Sequence, residues 1–268
     1  MTLNLNTISL NHGDHKSPEE GHCLLEVVSM FAGEPFSDAP ACVCPVLRQF
    51  GMSWNDGMRS DKEREQLKQY IPRLVGTRGS EELSEKRSWM ALDWLIRVHT
   101  AEWLSLSPVL AHHADTLRAL PQIACTADLT DAQPKLDEAW AAAEAVAGAA
   151  VWDATDAQPK LDESWFAAED AARTAAVEAR VAAGAATSHA ARHAALYAAL
   201  YAAEDAAHVA AWDVAVVSAG NAVGEARVAA RVAARVAEGV AARQKLDLTV
   251  RRLQESAHGL FSAMIDAK

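Results

Sequence analysis

Alanine saturates the second half of this chain, and no other feature constrains its fold as strongly. Between Ala139 and Ala242, 44 of 104 residues are alanine. Alanine loses no side-chain entropy on entering a helix and is the strongest helix former, so this stretch predicts long helices. No segment sustains the period-two alternation of a half-buried strand, and turn-bounded β-branched runs are absent. The expected fold class is all-α: a compact N-terminal helical domain followed by long alanine-rich helices packed as hairpins or a bundle.

The composition shifts near Pro121. Residues 1–121 hold three of the four cysteines and four of the eight tryptophans, and read as an ordinary globular domain. Its first helix is expected from Gly21, with His22, Cys23, Glu26, Val27, Met30 and Phe31 at helical spacing, to Gly33 and Pro35. A second is expected to open at Ser37-Asp38-Ala39-Pro40 and bury Val46, Leu47, Phe50 and Trp54, with Asn55-Asp56-Gly57 as a turn. Ser60 and Glu63 form a capping-box pattern, and Pro72 breaks the helix that follows. Ser80 starts a helix with Trp89, Leu92, Leu95 and Ile96 on one face, and Pro108 to Leu120 gives another.

Residues 122–268 read as a scaffold or oligomerisation region. The motif Thr130-Asp-Ala-Gln-Pro-Lys-Leu-Asp-Glu-Ala-Trp140 recurs 25 residues later, from Thr155 to Trp165, with Ser164 in place of Ala139 as its one change. A capping residue ahead of a proline makes each copy read as a helix start; a kinked continuous helix is the alternative. Gly184, Gly220 and Gly224 are candidate breaks, and Gln244 to Ile265 reads as an amphipathic closing helix. Tyr197 and Tyr201, then Glu204, His208, Trp212 and Val216, recur in steps of four, and so do Arg227, Arg231 and Arg235. Such rows wrap round a helix by about 40° per step, and alanine faces let a neighbouring helix approach closely. The arginine row reads first as a solvated face and second as a docking surface for an acidic partner. Self-association as a homo-oligomer is the expected partnership, with another protein as the second choice.

A formal charge of −11 disfavours a nucleic-acid coat or an anionic-membrane binder. No apolar run approaches the length of a membrane span. The opening MTLNLNTISLNHGDH has neither a basic nor an apolar leader region, so a cytoplasmic protein is expected. Four cysteines do not make a disulfide framework.

The chemically dense stretch runs from His12 to Cys44. His12 and His15 have the spacing of a metal-ligand pair, and zinc takes nitrogen and sulfur ligands; no cofactor is the first expectation, and zinc is the alternative. Cys23 is expected in the first turn of a helix, where the aligned amide dipoles favour a thiolate. Cys23, His12, His15 and Asp38 are therefore the candidate catalytic residues. Packing of the cysteines as small core residues is the alternative. Arg73, on a loop beside Gly76-Thr77, is suited to hold a carboxylate or phosphate bidentately, or to pin an acidic residue of its own domain; Arg73, Asn55 and Asp56 are the candidate ligand-binding residues. His112-His113 and the pair His189 and His193 read as surface residues.

The stretches HGDHKSPEEGHCLLEVVSMFAGEPFSDAPACVCPVLRQFGMSWND, IPRLVGT, RSWMALDWLIRVHTAEWL and LTVRRLQESAHGLFSAMID resemble an uncharacterised family of bacterial and phage-encoded hypothetical proteins, whose members carry an alanine-rich helical stretch of variable length. That family implies no stated activity. The resemblance implies that His12, Gly13, His15, Gly21, Cys23, Glu26, Ser37, Asp38, Cys42, Asn55 and Asp56 belong together, whereas His22 and Cys44 fall outside the pattern. A metal site would then use His12, His15, Cys23 and Cys42. The leading expectation is a helical interaction or scaffold protein that self-associates through its alanine-rich helices. The alternative is an enzyme or small-ligand-binding protein using the N-terminal His/Cys site, with or without zinc.

Overall fold

The computed structural model describes residues 3–58, 60–156 and 240–268, and among these the regular structure is helical throughout, with no strand. A 3-10 turn at Leu5–Thr7 precedes α1 (Leu24–Ala32), α2 (Pro45–Gly57) and α3 (Asp61–Arg64). A 3-10 helix, Glu65–Tyr70, leads into α4 (Ile71–Leu74) and α5 (Glu81–Trp94). A π-helical turn, Leu95–Thr100, joins α5 to α6 (Ala101–Leu104), and α7 (Ala111–Arg118), α8 (Thr126–Asp156) and α9 (Val240–Asp266) complete the order. None of these helices is long and apolar enough to cross a membrane. The second copy of the duplicated motif beyond Asp156, the rows from Tyr197 to Val216 and from Arg227 to Arg235, the three candidate glycine breaks, and His189 and His193 lie outside the described residues.

The described residues fall into two compact units. Residues 3–91 and 259–268 make the first; 92–156 and 240–258 belong to the second. The change of composition near Pro121 therefore does not coincide with the division between units, which falls within α5 and within α9.

In the first unit, α1 packs against α2 and α4. The helix is bounded as its residues dictate: Cys23 is the N-cap, and Gly33 takes the left-handed conformation at φ 75° that closes a helix C-terminus. Gly51 lets α2 come close, since a Cβ there would lie 3.2 Å from both Leu24 and Leu25. The expected helix start at Pro40 is not used, and α2 opens at Pro45. Glu34 is the reason: its carboxylate accepts from the amides of Ala41 (2.6 Å) and Cys42 (2.9 Å), while Ser37 Oγ accepts from Ala39 N. These donors find partners without a helical turn. Nor do Asn55, Asp56 and Gly57 form a separate turn; they are the last turn of α2.

The C-terminal residues complete this core. The Phe261 ring stacks on Phe50 at 5.5 Å and meets Tyr70 edge-on at 4.9 Å. Arg87, 2% exposed, donates from Nε to Met264 O and from Nη1 to Thr77 O, both at 2.7 Å. A guanidinium thus caps the last carbonyls of α9, where the helix dipole favours a cation.

In the second unit, α7 packs against α6, the π-turn and α8. The face expected from Trp89 to Ile96 is buried, but the helix widens after Trp94, and Thr100 Oγ1 donates to Leu95 O, five residues back, at 2.8 Å. Asp93 pairs with Arg97 and accepts from Ile123 N at 2.8 Å. Trp94 Nε1 reaches Ser256 Oγ at 2.6 Å, which ties α9 into the unit. Helix α8 starts at Thr126, not at the repeated Thr-Asp-Ala-Gln-Pro, because Asp128 accepts from Ala124 N and fixes an earlier start. Pro134 lies inside the helix. Leu129, Ala132, Leu136, Ala139 and Ala143 are buried along α8.

The Arg87 cap yields the first prediction. Arg87→Ala leaves the buried Met264 carbonyl without its donor and removes the part-buried bonds to Thr77 O and Ile265 O, and should cost the full chain about 3 kcal/mol in urea unfolding, at about 1–3 kcal/mol per unsatisfied group. Arg87→Lys should recover under half of the loss, because an ammonium lacks the planar fork.

Candidate functional site

The residues that the sequence singles out around Cys23 meet at the N-terminal end of α1, and Glu26 organises them. Its side chain is 1% exposed. The carboxylate accepts from Cys23 N at 2.6 Å, from His15 N at 2.6 Å and from His15 Nδ1 at 2.9 Å. Glu26 is the third residue of α1, so its bond to Cys23 N is the reach-back half of a capping box. A buried carboxylate needs such partners, and the loop before the helix supplies two of the three.

Asn55, fully buried, holds the same loop from α2. Its Oδ1 accepts from Leu24 N, and its Nδ2 donates to Asn11 O at 2.8 Å and to Asp56 Oδ1 at 3.1 Å. Asp56 Oδ1 in turn accepts from Gly13 N at 2.8 Å. Asn11 exchanges bonds with His22: Asn11 N donates to His22 O at 2.7 Å, and Asn11 Oδ1 accepts from His22 N at 3.2 Å. Gly21, at φ +150°, passes beneath the His15 ring, and a Cβ there would fall 2.5 Å from Nε2. The imidazole is thus held by Glu26 at one nitrogen and covered by Gly21 at the other.

Electrostatics at Cys23 run opposite to the expected thiolate. The residue is 3% exposed, and burial pushes its thiol up to about 12, with the Glu26 charge adding to the rise. Loss of hydration and a neighbouring carboxylate outweigh the helix N-terminus. Burial also holds the His22 imidazole below its usual range, and His15 adds to this against the pull of Glu26 and Glu19.

The remaining candidates lie elsewhere or are engaged. His12 is exposed on the loop. Ser37 N donates to Ser29 Oγ at 3.1 Å, so the segment bearing Asp38 lies beside the C-terminal half of α1, away from Cys23. Cys42 bonds Glu34 beyond the other end of α1, and nine helical residues span about 13 Å. Burial, followed by the Glu34 carboxylate, raises its thiol as well. Among the described residues, no group of three or more His, Cys, Asp or Glu is placed to hold a metal ion. Arg73 does grip a carboxylate with both oxygens, but it belongs to Asp266 (3.0 and 3.1 Å), and the guanidinium also donates to Ser262 Oγ and lies over the Tyr70 ring. Leu10, Asn11 and Glu65 carry no motif that marks them in the sequence. Leu10 is fully buried, and its amide donates to Glu65 Oε1 at 3.2 Å. The one available signal was the Cys23-x-x-Glu26 spacing, which is that of N-cap and N3.

Two outcomes are expected of this arrangement. Gly21→Ala should destabilise the full chain by about 2 kcal/mol, and adding His15→Ala should recover the part due to contact with the ring, leaving only the strain of a positive φ; a double-mutant cycle by urea unfolding measures it. Iodoacetamide should modify exposed Cys125 in the native protein and reach Cys23 only after denaturant is added, read by mass spectrometry of digests.

No family model, no curated protein and no solved structure matches this chain.

Proposed function

We propose that this chain is a helical interaction protein that self-associates through its alanine-rich region, with the first unit as its folded body. The observation that carries this reading is the duplication of the α8 motif, whose first copy shows the packing it can make within one chain, where α8 packs on α7. Leu129, Ala132, Leu136, Ala139 and Ala143 are buried at alternating steps of three and four, the spacing with which helices pack at a shallow crossing angle. Small residues in such a seam permit close approach. The motif that contains Leu136 is repeated 25 residues on, with Ser164 at the place of Ala139, and 25 residues make about 6.9 turns of an α-helix. In a continuous helix a repeat of that length would keep equivalent positions in phase, which is what selection on a shared face would maintain.

The alternative, chemistry at His15 and Cys23, draws less support. The thiol is buried with a raised pKa, and both ring nitrogens of His15 are hemmed in.

Light scattering of the full chain over a range of concentrations tests the proposal. The expected result is a mass above the 28.7 kDa of one chain that falls on dilution. Deleting residues 141–165, an in-phase unit, should leave association in place. Deleting 141–167, about 7.5 turns, turns the two flanks to opposite faces and should abolish it. A monomer at every concentration overturns the reading.

A further inference from the structure

We propose that the groove formed by Glu26, Asn55, Asp56 and Glu65 is a peptide-binding site, occupied in the structure by the chain's own residues 10–15, and that it accepts in trans an extended peptide of the same pattern: a large aliphatic residue, then asparagine, and after one intervening residue each, glycine and histidine.

The segment is held as a bound peptide is held. Four of its main-chain groups bond to four side chains of the helical body: Leu10 N to Glu65, Asn11 O to Asn55, Gly13 N to Asp56 and His15 N to Glu26. Main-chain bonds of this kind give affinity without reading sequence, while pockets for alternating side chains give specificity. Leu10 is the apolar anchor at 0% exposure, and His15 is the polar one. His12, Asp14 and Lys16 point outward and are exposed, so they are free to vary. Gly13 sits at φ +83° with open space around its Cβ position, so the requirement there is backbone conformation and not room.

Two of the groove residues also keep bonds that do not involve the segment. Glu26 is fixed by Cys23 N, Asn55 by Leu24 N through its side chain and by Arg64 Nε through its carbonyl. Such preorganisation lowers the cost of binding. Outside Leu10 and the bonds of residues 10–15, the segment buries little. Its one regular element is the turn Leu5–Thr7, which buries nothing, and Leu10 is its only fully buried large side chain.

The test uses the full chain with a protease recognition sequence inserted in the turn after Lys16, between exposed Glu19 and Glu20. After cutting, a fluorescent peptide of residues 3–19 is added and anisotropy is followed. The labelled peptide should displace the cut segment and bind. A peptide carrying Leu10→Asp should bind at least about tenfold more weakly, and one carrying His12→Ala should bind equally well. The uncut chain should bind at least about tenfold more weakly than the cut one, because a tethered occupant competes at millimolar effective concentration. Three results each overturn the proposal: loss of helical circular dichroism on cutting, which makes the segment part of the fold; no exchange by the labelled peptide; or equal binding of the Leu10→Asp peptide.

Discussion

A single buried guanidinium decides whether the first unit is complete. Arg87 lies on α5, and two of its acceptors are the carbonyls of Met264 and Ile265, near the end of α9. Its charge is out of water, so the bonds to those carbonyls and to Thr77 O are what make its burial tolerable. Around it, Phe261 fills the space between Phe50 and Tyr70, and Arg73 locks onto Asp266 and Ser262. The last ten residues are thus as much a part of the N-terminal core as α1, although more than 160 residues of sequence separate them from α5.

This long-range closure is what the sequence could not display. Period and capping made most local elements legible: Gly33 as a helix end, Ser60 with Glu63, the buried face from Trp89 to Ile96, and the amphipathic closing helix. Those features depend on neighbours within a turn or two. Expectation and structure part where a side chain of another segment takes over a backbone donor. Pro40 had the local credentials of a helix start until Glu34 claimed the amides of Ala41 and Cys42. Asn55 looked like a turn residue because its employment, the amide of Leu24 and the carbonyl of Asn11, lies in other segments. The π-turn left no trace because widening one turn moves the buried stripe by a single position, and Leu95, Ile96, His99 and Thr100 are all buried across it.

The same contrast applies to the residues around Cys23. Their grouping was legible; their employment was not. A histidine, a cysteine and a carboxylate within a dozen residues are the ingredients of a nucleophilic site, and also those of a loop fastened to a helix start. Geometry separates the two. A nucleophile needs an ionised, accessible sulfur, and the Cys23 thiol is neither accessible nor easily ionised. A fastening needs bonds that run from backbone to side chain, and Glu26 and Asn55 provide them.

The discontinuous construction of the first unit bears on how the molecule tolerates change in length. The described parts of that unit, residues 3–91 and 259–268, are far apart in sequence, and the alanine-rich stretch lies between them in the chain. The entropy of closing a flexible loop rises only with the logarithm of its length, about 0.6 kcal/mol for each doubling. A further 25-residue duplication inside a loop of this size would cost the unit on the order of a tenth of a kcal/mol by the same relation. On that scale, a change of one repeat in the sequence between Ala91 and Gly259 is small beside the bonds and ring contacts that Arg87 and Phe261 supply to the unit.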